Sequence, residues 1–532
     1  MADAKYLLRR FATLKTLRGT HENVWRDCFD HSFTIRGNGL QQQTLDAQQT
    51  LDRKARLVDS TATDAGRILA SALQSGMTPA NARWFGLDVE GISEEAQRWL
   101  DQAAEQLHQE IHNANFDAVG MECQLDMVAA GWFVMFVDVN REVGGLRFEA
   151  WPIGQCYITT TVANGRADTV FRGYCLSAEQ AVKEFGEQNV SATVAAKAKE
   201  EPDYSVEMLH AIYPRSPYVV GAKMARNMPI ASCHVEVQTQ TVVRESGFEE
   251  MPVIVPRWSL IPDSVYAVGP MFDVLPDVRE LNDLKRLDKA AGEIAVSGMW
   301  IAEDDGVLNP RTVKVGARKI IVANSVDSMK ALTTGANWQL ADVRISQLQA
   351  AIRKLLMADQ LQPQDGPAMT ATEIHARVAL LRQQLGPLFG RMQAEYLQGV
   401  IERCFALAFR AGLFGDPPQE LAGRNFAIKY ISPLARSQKL EDVSAIDQLN
   451  AGIFPLMQLK PEVADNIDFD LQTISKAEAL GVPMKTMRTA NQVAALRDAR
   501  QKQQAQAQQQ AQAQQVQTMA TQGAIDRSVK AA

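Results

Sequence analysis

Apolar and polar positions along the chain fall into stretches of helical and strand period. Over 4–30, Leu7, Leu8, Phe11, Leu14, Leu17, Val24 and Trp25 recur near helical spacing, which predicts an amphipathic helix with Gly19 as its weak point. Residues 41–50 are Gln-rich and read as a loop. A second helix is expected over 59–76, with Ser60, Thr61 and Thr63 as candidate caps and Gly76 as its stop. The chain then leaves through Pro79 and becomes extended at Trp84-Phe85. Residues 93–130 read as helical again, with Glu94 and Glu95 placed to favour the positive end of the helix dipole.

At Trp132 the period changes to two. Residues 132–139, 146–151, 156–162 and 169–175 read as strands, with Gly144-Gly145 and Asn164-Gly165 as hairpin turns. A short helix is expected at 177–185, and further strands over 206–212, 233–243 and 251–258. Residues 262–270 read as a loop.

Helical spacing returns over 271–296, where Val274, Val278, Leu281, Leu284, Leu287 and Ala291 share a face, and again over 338–357. Between them, 299–335 reads as short strands and turns. A polar Gln- and Pro-rich loop is expected up to Ala368, before a long helix from Thr370 to Gly412. That helix opens with a Thr370-x-x-Glu373 capping box and is predicted to kink at Gly386-Pro387, where a backbone donor is missing. A strand over 426–431 and helices from Gln438 follow, including one over 467–480. Residues 490–513 are Gln/Ala-rich and helix-favouring. The fold class expected is α+β, with roughly two to four domains in 532 residues.

Composition adds constraints. The chain is 46% hydrophobic and 22% charged, as an ordinary globular protein is, and its formal charge is −7. Any nucleic-acid partner is therefore more easily passed along than gripped through its phosphates. Six cysteines at 28, 123, 156, 175, 233 and 404 form no C-x-x-C pair and read as buried thiols in a reducing compartment. No signal peptide and no bilayer-length apolar run are read, so no membrane partner is expected. No phosphate-binding, zinc-protease or nucleophile-elbow motif is present, so no catalytic residue, metal or cofactor is expected. His108 and His112 share a helix face but lack a third ligand, and Glu303-Asp304-Asp305-Gly306 lacks the spacing of a calcium loop.

Three separated blocks carry a resemblance. The first is Asp59-Ser60-Thr61, Leu69-Ala70-Ser71, Ser75-Gly76-Met77-Thr78-Pro79 and Arg83-Trp84-Phe85. The second is Tyr266-Ala-Val-Gly269-Pro270, Leu275-Pro276-Asp277-Val278 and Leu281-Asn282, its Tyr-Gly pair stretched by two residues. The third is Met369-Thr370-Ala371-Thr372-Glu373, Arg377, Leu385-Gly386-Pro387 and the following E-x-L. In this order they resemble the head-to-tail connector (portal) proteins of short-tailed bacteriophages. The resemblance implies a twelve-subunit ring at one capsid vertex, through which double-stranded DNA is packaged and ejected. Each subunit would have an α/β wing (1–270 and 370–435), stem helices (271–297 and 338–357), a β-rich clip (298–337), a channel loop (358–369) and a helical crown (436–532). The partners implied are further copies of the chain, DNA, the capsid protein, the large subunit of the packaging terminase, tail adaptors, and scaffolding or internal core proteins at the crown.

Twelve stem helices packed about 8–10 Å apart enclose a lumen of roughly 20–28 Å, loose on a DNA duplex. The candidate wall is acidic: Asp273, Asp277, Glu280, Asp283 and Asp288 outnumber the basic residues of the first stem helix. The candidate loop offers Asp359, Gln360, Gln362, Gln364 and Asp365 and no cation. Both fit a surface that does not hold phosphates. The clip mixes Glu303, Asp304 and Asp305 with Arg311, Lys314, Arg318 and Lys319, which suits a docking surface for terminase and adaptor. The competing readings are a ring-forming scaffold or tail protein that conducts no DNA, a DNA-cleaving enzyme, and a membrane-associated injection protein.

Overall fold

The computed structural model describes residues 3–37, 40, 47–89, 91–141, 143–163, 165–219, 224–297, 299–302, 329–332, 338–361, 386, 388–421, 427–430, 433–480, 482, 487–488 and 492–506. It is an α+β chain of two compact units, Met1–Trp84 with Gln106–Phe414, and Phe85–Glu105 with Gly415–Ala532.

The first unit is built on a five-stranded antiparallel meander in sequence order: β4 (Cys156–Thr159), β5 (Thr169–Ser177), β6 (Ser205–Pro214), β7 (Ile230–Glu236) and β8 (Thr241–Phe248). Alternation along its strands gives it two apolar faces. Helix α1 (Ala4–Asp30) buries Leu7 and Leu14 against Tyr157, Phe171, Leu209, Ala211, Cys233 and Val235 on one face. Its Arg18 is buried, donates to the carbonyls of Ile153, Gly154 and Cys156, and lies over the Tyr157 ring. On the other face, the short helices 178–185 and 192–200 cover Val206, Met208 and Val243. The first carries a capping box between Ser177 and Gln180.

A three-stranded sheet runs β3 (Leu146–Trp151), β2 (Val134–Val139), β9 (Val253–Ile254). Gly144 and Gly145, both with positive φ, turn β2 into β3 as expected. Phe136 and Trp151 of this sheet reach His210 of the meander. There the imidazoles of His210 and His234 stack with centroids 3.8 Å apart. The Nε2 of His210 lies 2.9 Å from Ser232 Oγ, and the Nδ1 of His234 lies 3.1 Å from Tyr174 Oη. Burial, followed by Arg244 and Arg172, pushes His234 down to about 3; burial, His234 and the same arginines push His210 down too.

This unit also holds α2 (Ala47–Ala55), α3 (Thr61–Met77) and α5 (Phe116–Ala130), the last following α4 (Glu94–Asn113). Downstream, α8 (Pro270–Ser297) packs with α9 (Trp338–Leu355), α6 and α7 being the short helices 178–185 and 192–200. Strands β12 (Met299–Ala302) and β13 (Met329–Leu332) pair antiparallel between them, after two-residue β10 (Ser259–Leu260) and β11 (Ala267–Val268).

In the second unit β1 (Phe85–Asp88) pairs antiparallel with β14 (Ala427–Tyr430). The helices 433–459 and 469–480 pack together, with Phe454 stacked on Phe469. Arg497 forms a bidentate pair with Asp470, both distances 2.7 Å.

Several sequence expectations need correction. Residues 47–50 belong to helix α2, not to the Gln-rich loop. The stretch 93–130 is two helices, because Asn115 turns its amide onto β3: it donates to the Phe148 carbonyl and accepts from the Phe148 N–H (2.8 and 2.9 Å). The strand expected over 233–243 is a hairpin that turns at Gln240, which adopts positive φ. Strand over 251–258 is confined to Val253–Ile254. Helix α7 was not foreseen. Ala358–Leu361 forms one helical turn where a loop is expected. The predicted capping box at Thr370 and the kink at Pro387 lie outside the described residues.

Candidate functional site

Helix α8 carries most of the candidate wall, and its charges divide by face. Met271, Val274, Leu275, Val278, Leu281 and Asn282 are buried against the body. Three of the four bases on this helix turn the same way, and Lys289 is exposed: Lys285 reaches Asp59 at 2.6 Å, Arg279 reaches Asp27 at 2.9 Å, and Arg286 donates to the Arg56 carbonyl at 2.9 Å. The acids lie on the other side. Asp273, Glu280 and Asp283 are exposed, and Asp277 and Asp288 are half-buried. Asp283 pairs with Arg286 one turn on, and Glu280 accepts from Arg344 of α9 at 2.8 Å. Helix α9 buries Ile345, Leu348 and Ile352 beneath these contacts. At 100° per residue Asp273, Asp277, Glu280 and Asp283 fall on the side of α8 away from its buried stripe, with Asp288 at the edge of that side.

A polar knot fixes α8 to the start of α3. Asp59, 5% exposed, accepts from Lys285, from the Thr61 backbone N–H (2.7 Å) and from Gln349 of α9 (3.0 Å). Asn282 accepts from the N–H groups of Val58 and Asp59 and donates to the Val278 carbonyl. Burial pushes the Asp59 carboxyl up, but the hydrogen bonds from Lys285, Thr61 and Gln349 outweigh it and hold it below the usual carboxylate range. Ser60, expected as a cap of α3, makes no side-chain cap bond; Asp59 supplies it. Removing Asp59 strands Lys285 and leaves the Thr61 N–H and Gln349 without their acceptor. Asp59→Ala should cost about 3 kcal/mol, read as a lower denaturation midpoint, with Lys285→Met in the same chain recovering part of it.

The second motif block is explained by close packing. The backbone at Val268-Gly269 passes against the end of α5, where a Cβ on Gly269 would stand 2.5 Å from the Val128 carbonyl oxygen. Across this contact Gly131 ends α5 with φ 82°, and a Cβ there would stand 2.0 Å from the Val268 carbonyl carbon. Tyr266 joins Trp25 and Trp132 in a buried three-ring cluster, and Trp25 donates to the Ala267 carbonyl. From the third block, Glu395 of the E-x-L meets buried Arg257 in a bidentate pair at 2.6 and 3.0 Å.

Of the other candidate residues, Asp359 is half-buried and Gln360 lies in the helical turn Ala358–Leu361. Gln362, Gln364 and Asp365 lie outside the described residues, as do Glu303, Asp304, Asp305, Arg311, Lys314, Arg318 and Lys319. The histidine pair on α4 is otherwise engaged: His112 accepts from Trp84 Nε1 and faces the Asp117 carboxylate through Nδ1. Among the described residues no group of three or more His, Cys, Asp or Glu converges as a metal site, and no helix is long and apolar enough to cross a membrane. Cys28, Cys123, Cys156, Cys233 and Cys404 are buried; Cys175 is exposed, against expectation.

Residues 4–487 match the model of the bacteriophage head to tail connecting protein family. The chain belongs to that family. It is 29% identical to the portal protein of Salmonella phage epsilon15, over 94% of this chain and 92% of that protein. It is 28% identical to a probable portal protein of Bordetella phage BPP-1, over 99% of this chain and 96% of that protein. Among solved structures, a chain of the virion of a native gene transfer agent particle matches with 11% identity over 75% of this chain and 91% of that one, at a TM-score of 0.34.

Sequence reading found the acids of α8 but missed their separation from the bases. It also missed Asp59–Lys285 and Arg257–Glu395, whose partners come together only on folding. Both pairs nevertheless include one residue of a quoted block, Asp59 and Glu395, and that was the available signal.

Proposed function

We propose that copies of this chain close into a twelve-subunit portal ring at one vertex of a bacteriophage capsid, and that double-stranded DNA is packaged and ejected through its axial channel. The observation that carries the channel reading is the division of charge on α8, with three of its four bases spent on the body and the acids of the candidate wall turned away from it. A wall of that sign repels phosphates and lets a duplex slide, where a basic wall would bind it. In this reading α8 and α9 form the stem, 298–337 the clip that docks first the terminase large subunit and then tail adaptors, and 358–369 the channel loop. Residues 436–532 form a crown facing the capsid interior and any scaffolding or core proteins there. The ring is a head-to-tail, heterologous contact whose rotation closes. Its place is in the virion, its role is structural, and assembly takes place in the host cytoplasm.

Light scattering of the purified chain, with negative-stain images of the same fraction, tests the ring. Twelve copies of 58.7 kDa give a particle of about 700 kDa with a central hole. A lasting monomer or dimer, also in the presence of scaffold, would sink it. Deleting 358–369 separates a DNA channel from a ring that conducts nothing: the channel protein should still assemble yet fail to package or retain DNA.

A further inference from the structure

The helix that ends at Arg410 is not uniform. It is α-helical over 388–392, π-helical over Gln393–Leu397, and α-helical again over Gln398–Arg410. A π-turn holds one residue more than the α-helix around it, so it is an insertion that leaves the two flanking segments in phase. Its two flanks are held very differently. On the C-terminal side Val400, Ile401, Cys404 and Leu407 are buried, and Gly399 lies against Ile254, where a Cβ would stand 3.3 Å away. Arg403 and Arg410 pair there with Asp138, Glu249 and Glu250. On the N-terminal side Met392 is buried, but Gly390 is exposed and residues 388, 389 and 391 are half-buried; the described side-chain bond is Arg391 to the Trp258 carbonyl, at 2.7 Å.

The π-turn itself is both clamped and imperfect. Glu395 is held by Arg257, which also donates to the carbonyls of Gly165 and Val265, so the clamp is tied to the β4–β5 turn and to the chain before β11. Tyr396, wholly buried against Phe133, has no hydrogen-bond partner for its hydroxyl among the described residues. A buried hydroxyl left unpaired works against the register that buries it. One ion pair therefore holds a strained turn between a fixed segment and a lightly held one.

We infer that Gln393–Leu397 is a one-residue register joint. When the Arg257–Glu395 clamp opens, the π-turn relaxes to α, and the helix before it shifts by about 1.5 Å and turns by about 100° while 398–410 stays in place. The coupling runs through Arg257 to Gly165 and Val265, so a contact made near those carbonyls sets the register. This inference stands apart from the channel reading and is tested by a measurement that does not need DNA.

Hydrogen exchange read by mass spectrometry on the purified full-length protein, in whatever oligomer it forms, decides it. Amides of 388–397 should exchange at least tenfold faster than those of 400–410. Glu395→Gln should speed 388–397 by a further tenfold or more and leave 400–410 unchanged. Tyr396→Phe, which removes only the unpaired hydroxyl, should slow 388–397 several-fold. Deleting Ala394 takes out the extra residue and should bring 388–397 to the rate of 400–410. Even protection across 388–410 in the native chain would overturn the joint. So would Glu395→Gln loosening 400–410 equally, since the clamp would then be an ordinary structural pin.

Discussion

Between pH 7 and pH 5 the folded chain should lose about 4 kcal/mol of unfolding free energy, about 2 kcal/mol for each of His210 and His234. The two rings stack in the space between the meander and β3, within reach of Trp151, Phe136 and Phe185. The charged groups facing them are unfavourable to a proton: Arg172 lies over Trp151 and Tyr174, and Arg244 lies over Phe185 and pairs with Glu184. Burial and these guanidiniums hold both imidazoles neutral when folded, His234 down to about 3. In the unfolded chain each takes up its proton near the ordinary value of 6.5. The unfolded state therefore binds more protons below pH 6.5, and stability falls as the pH falls from there until the folded imidazoles themselves titrate. Urea midpoints followed by tryptophan fluorescence at a series of pH values measure this. His234→Gln, whose amide can still meet Tyr174, should remove about half of the dependence. A midpoint unchanged between pH 7 and pH 5 would mean that neither ring is held neutral in the folded state. Asp59 acts lower on the scale. Its carboxyl is held below its ordinary 3.8, so its contribution is present above that value and is lost as the pH falls through the lower folded value.

What the chain shows without a structure is its local periodicity. Helix α1, the β2–β3 hairpin and α8 follow from spacing and turn residues, because their apolar faces and glycine turns are written within a few residues of one another. What escapes is set by distant partners. Asn115 is an acceptable helix residue until Phe148 needs both its donor and its acceptor, and the helix stops there. Helix α7 fully buries only Val194, with Ala195 and Ala198 packed beside it, too little for a pattern to register. The same limit governs the candidate site. Counted along α8, acids outnumber bases, but the two are interspersed. Only the folded neighbours Asp59, Asp27 and Arg56 draw three of the four bases to one face and leave the acids of the candidate wall on the other. The reading of Ser60 as a cap failed similarly, since Asp59 is positioned for that bond by Asn282, 223 residues away.

Replacing Asp273, Asp277, Asp283 and Asp288 by lysine should turn a ring that lets DNA slide into one that holds it. The four positions lie on the face of α8 that the bases avoid, so the change adds cations without disturbing Asp59–Lys285 or Arg279–Asp27. Glu280 is left alone because it ties α8 to Arg344. If that face lines the channel, a threaded duplex meets lysines from every subunit, and six to ten neutralised phosphates make binding roughly 1,000-fold tighter or more at 50 mM than at 200 mM salt. The native ring should show little such slope. The same four substitutions should slow packaging and ejection in proportion to the new affinity, and raising the salt should partly restore both. A control that reverses exposed acids away from α8, Glu179, Glu200 and Asp203, changes net charge without the steep slope. Lysine rings that assemble, show no salt-dependent DNA binding and package at the native rate would mean that α8 turns its acids toward a neighbouring subunit or toward solvent. The channel wall would then have to be sought elsewhere, starting with the exposed face of α9.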